Sequence, residues 1–250
     1  NVVARATQRY CRSAGTIMID PLLRPVVTDA TRPAGFAAIV ARSRKLFWLK
    51  LLGTTVFTWA FFVGYFHVLR NPAHDVTQMP LTELDGMVEF APSALLAYVS
   101  LWFYVGVPPG LLVRFRELVY YGLWIGGLCI AGLACFYFWP TSVPPHGIEL
   151  VDYPGFGVLR GIDASANACP SMHVATATFT AIWLDRLLGE MGMRIPGRVL
   201  NWCWFTLIVY STLAIKQHVV LDVIAGLALG LAFAWPSLRL RGLLGRRAAL

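Results

Sequence analysis

Apolar residues in this chain gather into six runs, at 46–68, 88–107, 118–139, 170–188, 199–215 and 219–235. Each is close to the roughly 20 residues that a helix needs to cross a bilayer. The pattern predicts an all-α integral membrane fold with six spans. Proline punctuates it: Pro108-Pro109-Gly110 is expected to end the second span and Pro236 the sixth, because proline lacks the N–H that continues a helix. Two polar connections stand out, 69–85 and the longer 140–169, which is rich in Pro, Gly and Asp.

Outside the spans the chain is basic. Residues 1–45, broken by Pro21, Pro25 and Pro33, read either as an interfacial segment of one or two short helices on the membrane surface or as a partly disordered tail, and 239–250 as a basic tail. The organisation expected is therefore 1–45, a six-span membrane domain over 46–238, and the tail. No apolar core of a signal peptide is read in the first forty residues.

Composition agrees with the pattern. Of 250 residues 57% are hydrophobic and 14% charged, against about 25% charged in soluble domains. The net charge of +8 invites a nucleic-acid reading, but its distribution argues for lipid orientation and no nucleic-acid partner. With six spans, 17 of the 21 Lys and Arg fall on the side of the termini. Cytoplasmic loops carry such an excess, so both termini are expected in the cytoplasm. Only Arg70, Arg160 and Lys216 fall on the opposite side, with Lys50 inside the first span. The five cysteines lie mostly in or beside spans, so no disulfide framework is expected. His67 and His74 read as interfacial residues without chemistry.

Two polar constellations interrupt the apolar pattern, both at the outward end of a span. The first is Ala168-Cys169-Pro170-Ser171-Met172-His173-Val174. A helix begun at Pro170 presents the N–H groups of Ser171, Met172 and His173 at its positive end, which suits an anion. Ser171 adds a hydroxyl and His173 a group that titrates near neutrality. The second is Lys216-Gln217-His218 followed by Asp222 and Gly226. His218 and Asp222 are four apart and share a helix face. A carboxylate in a span needs a partner, and a carboxylate that orients an imidazole leaves the other ring nitrogen reactive.

Pro-Ser-x-His opening one span and His-x3-Asp opening another resemble the type-2 phosphatidic acid phosphatase superfamily. The Met172 variant, with Lys-Gln-His-x3-Asp-x3-Gly, looks most like its inositol phosphorylceramide synthase-like (inositolphosphotransferase) branch. The resemblance spans about 140–230. It implies a metal-independent lipid phosphatase or phosphotransferase with no cofactor, acting on a lipid phosphate. In that family His218 would be the nucleophile, Asp222 its orienting partner and His173 the general acid. Ser171 and the N–H of Met172 would hold phosphate oxygens. Water as acceptor gives hydrolysis; a lipid or sugar hydroxyl gives transfer of a phospho-headgroup. A different class, a metal- or proton-binding transport protein, stays open on the histidines alone. The resemblance and the charge bias together imply a bacterial inner membrane, with the site facing the periplasm or exterior.

Two family cations are missing. No Lys-x6-Arg-Pro follows the third span, where 140–146 reads Pro-Thr-Ser-Val-Pro-Pro-His, and Thr212 replaces the arginine six residues before His218. Arg160 and Lys216 are the outward substitutes expected to bind phosphate, with His146 third. Lys216 serves only if the last helix begins at or after His218. The loop from Gly155 through Arg160 to Asp163 is a further candidate for substrate contact.

Overall fold

The computed structural model describes residues 34–145, 153, 155–156 and 167–247, and they are mostly helical. Chain order is α1 (Phe36–Arg44), α2 (Phe47–Arg70), β1 (Thr77–Gln78), α3 (Glu83–Met87), a 3₁₀ turn (Pro92–Ala94), α4 (Leu95–Val99), α5 (Leu101–Tyr104), α6 (Val107–Leu111), α7 (Phe115–Phe138), β2 (Thr141–Ser142), α8 (Met172–Glu190), α9 (Ile195–Ala214) and α10 (Val220–Arg247). Among the described residues three helices are long and apolar enough to cross a membrane: Phe47–Arg70, Phe115–Phe138 and, within α10, Val220–Gly242.

The expected second span is one helical run offset toward the C-terminus. From Pro92 to Leu111 the backbone keeps right-handed angles through Ala94, Ser100, Val105 and Gly106, tightening at each instead of breaking. Pro108 and Pro109 do not end it. They fall in the first turn of α6, directly after the run tightens at Val105 and Gly106, and the run passes their two missing N–H groups without ending.

Pro236 does not end the last helix either; α10 continues through it to Arg247, so Arg239 and Arg241 are helical. Tertiary ties hold that stretch. Trp183 Nε1 donates to Ser237 Oγ (2.9 Å), and the Tyr120 hydroxyl donates to the Ser237 carbonyl (2.7 Å). One turn on, the Arg241 guanidinium bridges Glu190 (2.7 Å) and Glu117 (3.2 Å), fastening α10 to the end of α8 and the start of α7.

Helix α8 is the centre of the bundle, packed by α10, α9, α7 and α6. Val174, Ala175, Ala177, Phe179, Ala181, Trp183 and Leu187 are fully buried along it. A helix surrounded by other helices need not be apolar toward lipid, which is why α8 carries Thr176, Thr178, Thr180 and Asp185. Its contact with α10 is made by Gly226 and Gly230. A Cβ on Gly226 would lie 2.6 Å from the Ser171 carbonyl oxygen, and one on Gly230 would lie 2.6 Å from that of Ala175. Small residues four apart are what let two membrane helices bring their backbones together.

Candidate active site

The first constellation is held from two directions. Ahead of it, β1 and β2 pair in parallel, Thr77 with Thr141 and Gln78 with Ser142, and Thr141 bridges Asn167. The buried Thr141 carbonyl accepts the Ala168 N–H (3.0 Å), and its hydroxyl accepts the Cys169 N–H (2.8 Å). Thus the stretch expected to carry the missing lysine and arginine instead supplies a β-branched residue that fixes the lead into Ser171.

Helix α8 starts later than expected. Ser171 is its N-cap, with Oγ accepting the Val174 N–H (3.3 Å), and Met172 is its first residue. The Ser171 N–H is not at an open helix end; it donates to the Asp222 carbonyl (3.0 Å). Proline 170, joined by a cis peptide, precedes the cap and is not the first helical residue. The N–H groups of Met172 and His173 remain in the first turn, where an α-helix has no carbonyl of its own to offer.

Met172, the variant position of the motif, is accommodated by α7. A Cβ on Gly132 would lie 2.2 Å from the Met172 sulfur. The larger side chain therefore fills space that a glycine leaves on the neighbouring helix.

The second constellation hangs from a helix end. After α9 the chain turns at Lys216, whose φ is +60°. Gln217 N–H returns to the Thr212 carbonyl and Lys216 N–H to that of Leu213, both at 3.1 Å. This is the Schellman closure, with lysine at the left-handed position that glycine usually fills. The His218 N–H also donates to Thr212 O (3.1 Å). Thr212 is buried and its hydroxyl turns back to Val209 O (2.8 Å). The Lys216 ammonium donates to the carbonyls of Asp85 and Val88, so it ties the turn to α3.

Asp85 completes this bracket. One carboxylate oxygen accepts the N–H and hydroxyl of Thr82, both at 2.7 Å, closing a capping box on α3; the other accepts the Val220 N–H (2.8 Å) at the start of α10. Partial burial pushes the Asp85 carboxyl up, but the Thr82 and Val220 donors and the Lys216 charge together hold it below the usual aspartate value.

Between these supports the two imidazoles meet. The His173 and His218 ring centroids are 6.1 Å apart. His218 Nδ1 lies 3.5 Å from Asp222 Oδ2, which also accepts the Val219 N–H (3.0 Å). Nδ1 is at ion-pair distance from the carboxylate without a hydrogen bond to it; engaging that carboxylate through Nδ1 would leave Nε2 for chemistry. His218 and Asp222 are both buried. The Cys169 thiol sits beside Asp222, and burial plus that charge push it up to about 11. On its far side the His173 ring stacks on Tyr98, centroids 4.1 Å apart.

The structure thus brings together His173, His218, Asp222, Ser171 and Met172, from residues up to 51 positions apart (171 to 222). Lys216 is committed to backbone carbonyls at the edge of this group, and α10 begins at Val220, after His218 as its use required. Arg160, His146 and Asp163 lie outside the described residues. Sequence reading missed Tyr98, Thr141 and Asp85. Only Asp85 had a signal, the Thr82-x-x-Asp85 spacing of a capping box. Among the described residues no group of three or more His, Cys, Asp or Glu side chains is placed to hold a metal ion.

No curated relative and no solved structure matches the chain. A family model described as the PAP2 superfamily matches residues 137–246, a stretch that includes α8, α9 and nearly all of α10. That stretch, under half of the chain, is similar to the type-2 phosphatidic acid phosphatase superfamily, and the similarity supports a membrane enzyme of the phosphatase or phosphotransferase kind.

Proposed function

We propose that this chain is a six-span membrane enzyme, of the inositol phosphorylceramide synthase-like branch, that cleaves a lipid phosphate through a phosphohistidine on His218. The observation that carries this reading is the pair of imidazoles 6.1 Å apart, one backed by a buried carboxylate. The Nε2 lone pair of His218 attacks phosphorus while the bond to the leaving oxygen breaks. That oxygen keeps the electron pair and takes a proton from His173. Water, or a lipid or sugar hydroxyl, then attacks phosphorus as His173 removes its proton. The P–N bond breaks, and its electron pair returns to His218.

Asp222 orients His218 and stabilises the charge that forms on its ring. The Ser171 hydroxyl, which can donate while its oxygen accepts from Val174, and the N–H of Met172 meet the equatorial oxygens. Arg160 supplies the main cationic contact, favoured by a planar fork that grips two oxygens. His146 is a weaker candidate for the same role, and Lys216 is a further cation tethered at the edge of the site. The charge bias supports cytoplasmic termini and a site on the outer face of a bacterial inner membrane.

The test is phosphate release from a panel of lipid phosphates in the presence of chelator, with and without a hydroxyl acceptor, alongside acid-quench trapping of phosphoenzyme. Wild type should turn over and trap label on histidine; His218→Ala should do neither. Wild-type turnover in His218→Ala overturns the assignment.

A further inference from the structure

Tyr98 and Trp102 stand four residues apart on the Pro92–Leu111 helical run, and both meet the His173 ring. Tyr98 lies nearly face to face with it, centroids 4.1 Å apart and planes 24° from parallel, with the hydroxyl oxygen 3.3 Å from Nδ1. Trp102 meets the same ring at 5.9 Å and 76°. From the α10 side the ring faces His218, with Asp222 behind it. Tyr98 is 1% exposed, so the stack is closed to solvent on that side. Trp204 Nε1 donates to Ser100 Oγ (2.9 Å), between the two aromatic residues, and fastens this run to α9.

An aromatic face attracts a cation placed over it, and most strongly where water is excluded. An imidazole stacked on such a face has its plane fixed. The edge-on tryptophan restricts the remaining tilt.

We propose that Tyr98 is a positioning residue for the general acid. Its ring face holds the His173 imidazole in one plane, with Nδ1 beside the phenol oxygen, so that the ring meets the leaving oxygen in a fixed orientation. Trp102 closes the second side. This rests on the lipid-phosphate reading above. In that reaction the leaving oxygen departs with the bonding electron pair and collects the His173 proton. An alkoxide, strongly basic, needs that proton at the transition state; a nitrophenolate does not. Loss of the bracket should therefore be felt selectively.

The test uses the full-length protein in detergent micelles with two probes, dioctanoyl phosphatidic acid and p-nitrophenyl phosphate. Tyr98→Leu should lower kcat on the alkyl phosphate about tenfold or more, and on the aryl phosphate by less than about threefold. Tyr98→Phe keeps the ring face and should stay within about threefold of wild type on both probes. Trp102→Leu, at a half-exposed position, should show the same selectivity in smaller measure. Equal losses on the two probes in Tyr98→Leu and Trp102→Leu overturn the proposal, since a merely structural role would slow both alike. A Tyr98→Phe variant as impaired as Tyr98→Leu on the alkyl probe also overturns it, by moving the role to the hydroxyl. Wild type inactive on both probes removes the lipid-phosphate reading itself, and the bracket with it.

Discussion

The backbone N–H of Ser171 donates to the backbone carbonyl of Asp222 at 3.0 Å. One bond therefore joins the cap of α8, whose first turn carries His173, to the first turn of α10, which His218 shortly precedes. Displacing one helix end displaces both motifs.

Adding one methyl group at the helix contact should accordingly disable the site. In Gly226→Ala the new Cβ meets the Ser171 carbonyl oxygen at 2.6 Å, which is backbone and has no rotamer to change. The helices must separate, at about 1–3 kcal/mol for overpacking. Turnover should fall at least as steeply as stability. Thermal unfolding in detergent and phosphate release, measured on the same preparation, check both.

Met172 and Gly132 should behave as a coupled pair. Met172→Ala should leave a void against Gly132 and cost about 2–4 kcal/mol. Gly132→Ala should cost less, because the clashing atom is the end of a flexible side chain. The double variant should be more stable than the sum of the two losses, with a coupling energy of about 1 kcal/mol in a double-mutant cycle. Strict additivity would mean that the two side-chain positions do not share space.

Lys216 combines a left-handed backbone with a tether, and two substitutions separate them. Lys216→Gly loses the tether but relaxes the backbone, whereas Lys216→Ala loses the tether and keeps the strain. Alanine should therefore be the less stable by about 1 kcal/mol. Inhibition by inorganic phosphate should change little in Lys216→Gly, since its ammonium is engaged by carbonyls. A large rise in the inhibition constant would instead make it a phosphate ligand.

Acid should loosen the bracket at Asp85. Its folded value is depressed, so its contribution is complete above the ordinary aspartate value of about 3.9 and is lost as pH falls through the lower folded one. Wild type should lose stability below about pH 4 in part through this group. Asp85→Asn should be less stable at neutral pH and show a shallower acid limb. Identical acid limbs in the two proteins would refute the bracket.

What was legible in the chain were features carried by local pattern. The long apolar runs of α2, α7 and α10 declare themselves, and His218 with Asp222 is a spacing that any helix would bring together. Features that depend on a partner were not legible. Pro108, Pro109 and Pro236 read as stops because nothing nearby in sequence shows the helical run tightening at Gly106 and going on, or Trp183 and Tyr120 supporting Ser237. The Ser171 N–H looked open because its acceptor is 51 residues away. Tyr98 is one apolar-run aromatic among many, and only folding puts its face on His173.

The glycines at 226 and 230 also decide how the chemistry could be moved to another protein. Neither Pro-Ser-Met-His nor His-x3-Asp is a module, since each is shaped by a backbone that belongs to the other. A graft would have to carry 167–190 and 216–230 together, small residues included, as one inseparable helix pair. A host helix with ordinary side chains at those two positions would hold the borrowed histidines apart, even with every reactive residue present.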